Sequence, residues 1–214
     1  MIKGESCKLF LTDVDIVSKL AHWRLLRDLP TILNCDIADI VTLPSLVHRA
    51  KKACQKPDKI FCDTDTAEYA YEILSNMGIA PLPDADMVSI LQRVPKIDSG
   101  EAILLAIAST ENKSLLLTGD KKAIISFYAI FKEGKFDNIK GRICCLEQII
   151  NCFLDYFGLT ELQKKVCGCP VKDNAIKNIF GSRCDANLAS VQEGILSHIK
   201  DLEKEATGLL FKVS

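Results

Sequence analysis

Apolar and polar positions fall in blocks along this chain, and the blocks switch period. Lys8–Leu11 (KLFL) is a short apolar run of the kind a buried strand uses, and it ends in Thr12-Asp13-Val14-Asp15. Ile16, Val17, Leu20, Ala21 and Leu25 then recur at helical spacing, which predicts a helix directly after the strand. Ile37–Leu43 (IADIVTL) predicts a second strand stopped by Pro44, with a helix over Ser45–Cys54 behind it. Thr66–Met77 is again helical in pattern, with Gly78 as its natural C-cap. Ile79–Leu82 reads as a short edge strand, because Pro81 and Pro83 exclude a central one. Asp84–Val94 reads as a helix ended by Pro95.

The stretch Ile97–Asp120 (IDSGEAILLAIASTENKSLLLTGD) organises the rest. An acidic turn (Asp98, Gly100, Glu101) opens a helix whose face is small and close-packing (Ala102, Leu105, Ala106, Ala108). Ser114–Thr118 (SLLLT) has no polar alternation, as a strand covered on both faces requires, and Asp120 follows it. Lys121–Phe131 predicts a helix, Gly141–Leu146 (GRICCL) a further buried strand and Glu147–Phe157 another helix. Strands alternating with helices predict an α/β fold, a three-layer parallel sheet flanked by helices, over residues 1–157. Residues 158–214 lack strong strand candidates until Leu209–Val213. They read as a C-terminal helical extension, with helices over Leu162–Val166, Ala175–Phe180 and Ala186–Leu202. The stripe Leu188, Val191, Ile195, Leu196 and Ile199 on the last of these would pack on the core or serve a partner or dimer.

Composition narrows the function classes. The net charge is −1, so no global basic field advertises nucleic acid, and any such binding must use a local patch. The start of the chain carries no long apolar region of a secretion signal. No stretch reaches the roughly 18 apolar residues of a membrane span. The 10 cysteines, several inside apolar runs, are expected to be reduced structural thiols of a cytoplasmic protein. Cys167, Cys169 and Cys184, with no nearby histidine, match zinc-site spacing poorly.

The chemistry lies in the acids. Asp13, Glu101 and Asp120 fall at predicted strand ends or the helix starts beside them, with Asp15, Asp98 and the hydroxyl of Thr118 close by. In open α/β sheets ligands bind outside the carboxyl ends of the strands, so these groups are expected to meet. Each acid alone has a plain explanation as a helix cap, with Asp15 or Thr12 the expected cap of the first helix. Grouped carboxylates repel one another and take up protons, and a hard divalent cation such as Mg²⁺ or Mn²⁺ resolves that repulsion. Lys121, Lys122 and Arg49 are the foremost candidates for phosphate contacts.

Four motifs in order carry a family resemblance. Leu9–Ala21 (LFLTDVDIVSKLA) resembles the opening of PIN-domain ribonucleases. Asp98–Ala108 (DSGEAILLAIA) is similar to the GE-containing version of that family's central acidic helix. Leu115–Asp120 (LLLTGD) is similar to its strand ending in Thr-x-Asp, and Gly141–Ile150 (GRICCLEQII) to its last strand and helix. The resemblance spans residues 5–157. It implies a Mg²⁺- or Mn²⁺-dependent ribonuclease with Asp13, Glu101 and Asp120 as metal ligands and Asp15, Asp98 and Thr118 in support. Many relatives are toxins paired with an antitoxin, so RNA and an antitoxin-like protein partner are the partners it implies, while a homodimer rests on the apolar stripe of the last helix. One departure stands out. The family often has a glutamate in the helix after the second strand, whereas Ser45–Cys54 has no acid; Asp63, Asp65 and Glu68 are the nearest substitutes. Without that ligand, a PIN-like scaffold that binds RNA or protein without cutting is the first alternative. Asp13-Val14-Asp15 also resembles the nucleophile motif of haloacid dehalogenase-like phosphatases, with Asp13 attacking phosphorus. That reading leaves the GE helix unexplained.

Overall fold

The computed structural model describes residues 7–169 and 173–212. In chain order, β1 (Leu9–Thr12) runs into α1 (Val14–His22) and a short α2 (Leu29–Leu33); β2 (Ile40–Thr42) runs into α3 (Pro44–Ala53) and α4 (Thr64–Leu74). Then come β3 (Gly78–Ile79), α5 (Ala85–Leu91), α6 (Ser99–Thr110), β4 (Ser114–Thr118) and α7 (Lys121–Phe131). Last are β5 (Ile143–Cys145), α8 (Leu146–Cys167), α9 (Asn174–Ile179) and α10 (Leu188–Glu205). The five strands form one parallel sheet in the order β3-β2-β1-β4-β5. The apolar strands of the sequence are buried along their lengths, β4 without exception.

Successive strand residues feed opposite cores, as the two-residue period demands. Phe10, Ile40, Leu115, Leu117 and Cys144 pack with α1, α4 and α8 on one face, where Trp23 is fully enclosed. Leu11, Val41, Leu116, Ile143 and Cys145 pack with α6 and α7 on the other. The molecule is thus α/β, with helices on both faces of an all-parallel sheet.

Three local readings of the sequence are corrected. The second strand is only Ile40–Thr42, because Asp36 and Asp39 form a reciprocal capping box that turns Ile37–Asp39 into a 3₁₀ turn. Gly78 does not cap a helix over Thr66–Met77; α4 ends at Leu74, and Gly78 opens β3, ahead of the expected Ile79–Leu82. A Cβ there would press on the backbone oxygen of Ala38 and on Val41, so only glycine lets β3 lie against β2. Cys167 and Cys184 are not free thiols but a disulfide, which also removes them as zinc ligands.

The C-terminal region packs on the sheet layers. Gly158, at φ 72°, bends α8 where the first region was expected to end. From there α10 sends Val191 and Ile195 into one core and Leu202 into the other. The expected last strand is a single parallel bridge of Leu210 to Ile143, with Ile143 N–H donating to Leu209 O (3.1 Å) and Phe211 N–H to Ile143 O (2.7 Å). It covers the free edge of β5. Val213 lies outside the described residues, as do residues 1–6, 170–172 and 214. Among the described residues no helix is long and apolar enough to cross a membrane.

Candidate active site at the carboxyl edge of the sheet

β1 and β4 are neighbours in register, Thr12 opposite Leu117, so the residues that follow them emerge side by side. Asp13 follows β1, and Asp120 follows β4 by two residues. Asp98 and Glu101 stand at the start of α6, Asp15 in the first turn of α1. The structure brings all five together, with Lys121 and Lys122, around one cavity of about 520 Å³. Thr118 sits beneath it and donates its hydroxyl to Asp13 Oδ2.

Each acid is also tied to its own element. Asp13, not Asp15, is the N-cap of α1, its Oδ1 accepting from Ile16 N–H at 2.7 Å. Its Oδ2 accepts from Thr118 and from Gly119 N–H (3.3 Å), which locks the ends of β1 and β4 together. Asp98 and Glu101 form a reciprocal capping box at 2.8 Å each way. Asp120 caps α7, accepting from Lys122 N–H (2.8 Å) and Ala123 N–H (3.0 Å). Asp15 pairs with Lys19 at 2.5 Å.

Electrostatics set these groups apart from ordinary caps. Burial and then the charge of Asp15 beside it raise Asp13 to about 7, against the hydrogen bonds it accepts. Burial likewise raises Glu101 to about 7, with Asp120, Asp98 and Asp13 adding in the same sense. Asp15 is raised by burial despite Lys19. Burial opposes the charge of Lys19, but Asp15 and Asp173 outweigh it and hold the ammonium charged.

Sequence reasoning missed two acids of this cavity. Glu147, the second residue of α8, is 2% exposed and pairs with Lys121 at 2.5 Å. Asp173 caps α9 and pairs with Lys19 at 2.7 Å. Glu147 had a signal: it follows a buried strand and opens a helix, as Asp120 does. Asp173 had none, since only the fold carries it to α1. Asp63 caps α4 away from the cavity, and Asp65 and Glu68 do not line it either. Arg49 is held by Asp58 at 2.5 Å and is not part of this wall.

Seven carboxylates therefore face three ammonium groups around the cavity. Such an excess of hard oxygen donors fits Mg²⁺ or Mn²⁺ and no soft metal. As placed, no three acidic, histidine or cysteine side chains among the described residues converge as a finished metal cage. The reason is geometric: Asp120 and Glu101 are turned onto backbone N–H groups at their own helix starts.

No protein-family model, curated protein or solved structure matches this chain. The functional reading therefore rests on the geometry and on the order of the motifs.

Proposed function

We propose that the chain is a divalent-cation-dependent, PIN-like ribonuclease that hydrolyses RNA phosphodiester bonds at this cavity. The observation that supports it best is the meeting of Asp13, Glu101 and Asp120 from three elements, two of them raised to about 7 by burial and by neighbouring acids. Asp13, Glu101 and Asp120 would hold Mg²⁺ or Mn²⁺, with Asp15 beside them. The bound cation would acidify a water and neutralise charge developing on the phosphate.

The chain's own groups supply the rest. Thr118 and Gly119 N–H fix the Asp13 carboxylate, so that its position does not depend on a flexible side chain. Lys121 and Lys122, at the start of α7, stand where a phosphate would need neutralising. A phosphodiester approaching seven carboxylates would be repelled without cations. Cation dependence and an anionic substrate thus support one another. A phosphatase with Asp13 as nucleophile is disfavoured, because it leaves Glu101 and the capping box that opens α6 at the cavity without a role.

The test is incubation of a mixed single-stranded RNA pool with purified protein in Mn²⁺, Mg²⁺ or EDTA, beside Asp120→Asn. Asparagine keeps the α7 cap, so that variant should fold. Cleavage with metal, lost in EDTA and in the variant, is the expected result. No cleavage with either metal would leave the non-cutting scaffold and contradict the nuclease.

A further inference from the structure

We propose that Glu147 is a positioning residue that holds the Lys121 ammonium at the cavity wall for a phosphate of single-stranded RNA. The inference rests on the ribonuclease reading and names a residue which that reading does not need.

Glu147 is an anomaly on stability grounds. Its neighbours Leu146, Ile149 and Ile150 on α8 are apolar and buried, and Gln148 beside it is buried with its amide hydrogen-bonded. At Glu147 a carboxylate is enclosed at 2% exposure, with Oε1 on Lys121 and Oε2 without a hydrogen-bond partner. Buried ion pairs add little stability over apolar residues of similar volume, and an orphaned oxygen subtracts from it. Lys121 is as unexpected, since a cation at the first position of a helix opposes the helix dipole.

The pair makes sense as a clamp. The Lys121 side chain is 32% exposed, so about a third of it is open to the cavity and solvent and the rest lies against protein. Its ammonium lies 2.5 Å from Glu147 Oε1 and 3.2 Å from Nδ1 of His198 on α10. An ammonium has three N–H donors, so two contacts leave one for a ligand. Lys122, next in sequence, has no ion pair among the described residues and keeps the freedom of an ordinary surface lysine. Fixing Lys121 removes the rotamer entropy that a free lysine loses on gripping a phosphate.

The sign of one substitution separates this role from simple electrostatics. Deleting a carboxylate near a phosphate should tighten RNA binding if only net charge matters. If Glu147 positions Lys121, the deletion should weaken it. The experiment measures binding of a fluorescent single-stranded RNA 12-mer in Ca²⁺, a hard cation that offsets the repulsion of the acids and activates hydrolysis poorly, so that turnover does not enter. The proteins are wild type, Glu147→Leu, Glu147→Gln, Lys121→Met, Lys122→Met and the Glu147→Leu double variants with each lysine. Glu147→Leu removes the carboxylate at similar volume, and Glu147→Gln keeps the shape should leucine misfold. We expect Glu147→Leu to weaken binding about tenfold, as loss of one charge-assisted hydrogen bond does. Its effect should vanish in the Lys121→Met background and persist in the Lys122→Met background. Unchanged or tighter binding in both Glu147 variants, with the wild type binding RNA, would overturn the role of Glu147 alone. Failure of the wild type to bind the 12-mer would overturn this inference, and failure both to bind and to cut RNA would overturn the ribonuclease reading with it.

Discussion

Asp13 closes β1, caps α1 and accepts from Thr118 and Gly119 on the neighbouring strand, and it does so nearly out of contact with water. The price is a carboxylate that resists ionising. Its value rises from 3.8 to about 7, and that of Glu101 from 4.5 to about 7. An acid raised on folding holds a proton in the folded state that the unfolded chain has released. The stability so gained is complete below the unfolded value and is lost as pH rises through about 7. Without divalent cations, the melting temperature should therefore fall between pH 5 and pH 8. Asp13→Asn keeps the cap and removes the charge, so it should flatten that dependence and raise the melting temperature at pH 8; calorimetry across this range checks both. These acids were legible in the sequence because each follows an apolar strand or opens an apolar helix. The partners of the lysines were not. That Lys121 meets Glu147 and Arg49 meets Asp58 depends on which elements the fold brings together, which no local pattern encodes.

At the scale of elements, β4 and its helix were legible because strand and helix periods are unmixed there. β2 was overread, since Ile37 and Ala38 suit a strand while Asp36 and Asp39 cap a 3₁₀ turn through side-chain bonds that hydropathy ignores. Gly78 was misplaced for a related reason: a glycine after a helix resembles a cap, whereas here it yields space to the Ala38 backbone. Gly78→Ala should consequently shift the edge strand and cost about 1–3 kcal/mol, as overpacking does, read from chemical denaturation. A cost near zero would mean that β3 contributes little to the sheet.

The whole molecule is tied at its C-terminal end. Helices past Gly158 were visible as an apolar stripe, but a stripe does not say what it packs on. Here Val191 and Ile195 join one core and Ile199 lies against both, while Leu188 and Leu196 stay exposed, and the tail after α10 covers β5. The Cys167–Cys184 bridge closes a loop of 17 residues that carries Asp173 to the cavity. Two lone cysteines with no framework around them gave no sign of pairing. Replacing both by serine should cost about 3 kcal/mol by loop entropy, seen as a lower urea midpoint. An unchanged midpoint would show that the α9 segment is held by its packing alone. The central claim is that acids from three elements form one cation site. Its most direct test is Mn²⁺ binding at pH 8 followed by electron paramagnetic resonance, in wild type, Asp13→Asn, Glu101→Gln and Asp120→Asn. Saturable binding in the wild type, weakened at least tenfold in each variant, is the predicted result. Binding that is absent from the wild type, or indifferent to all three substitutions, would contradict it.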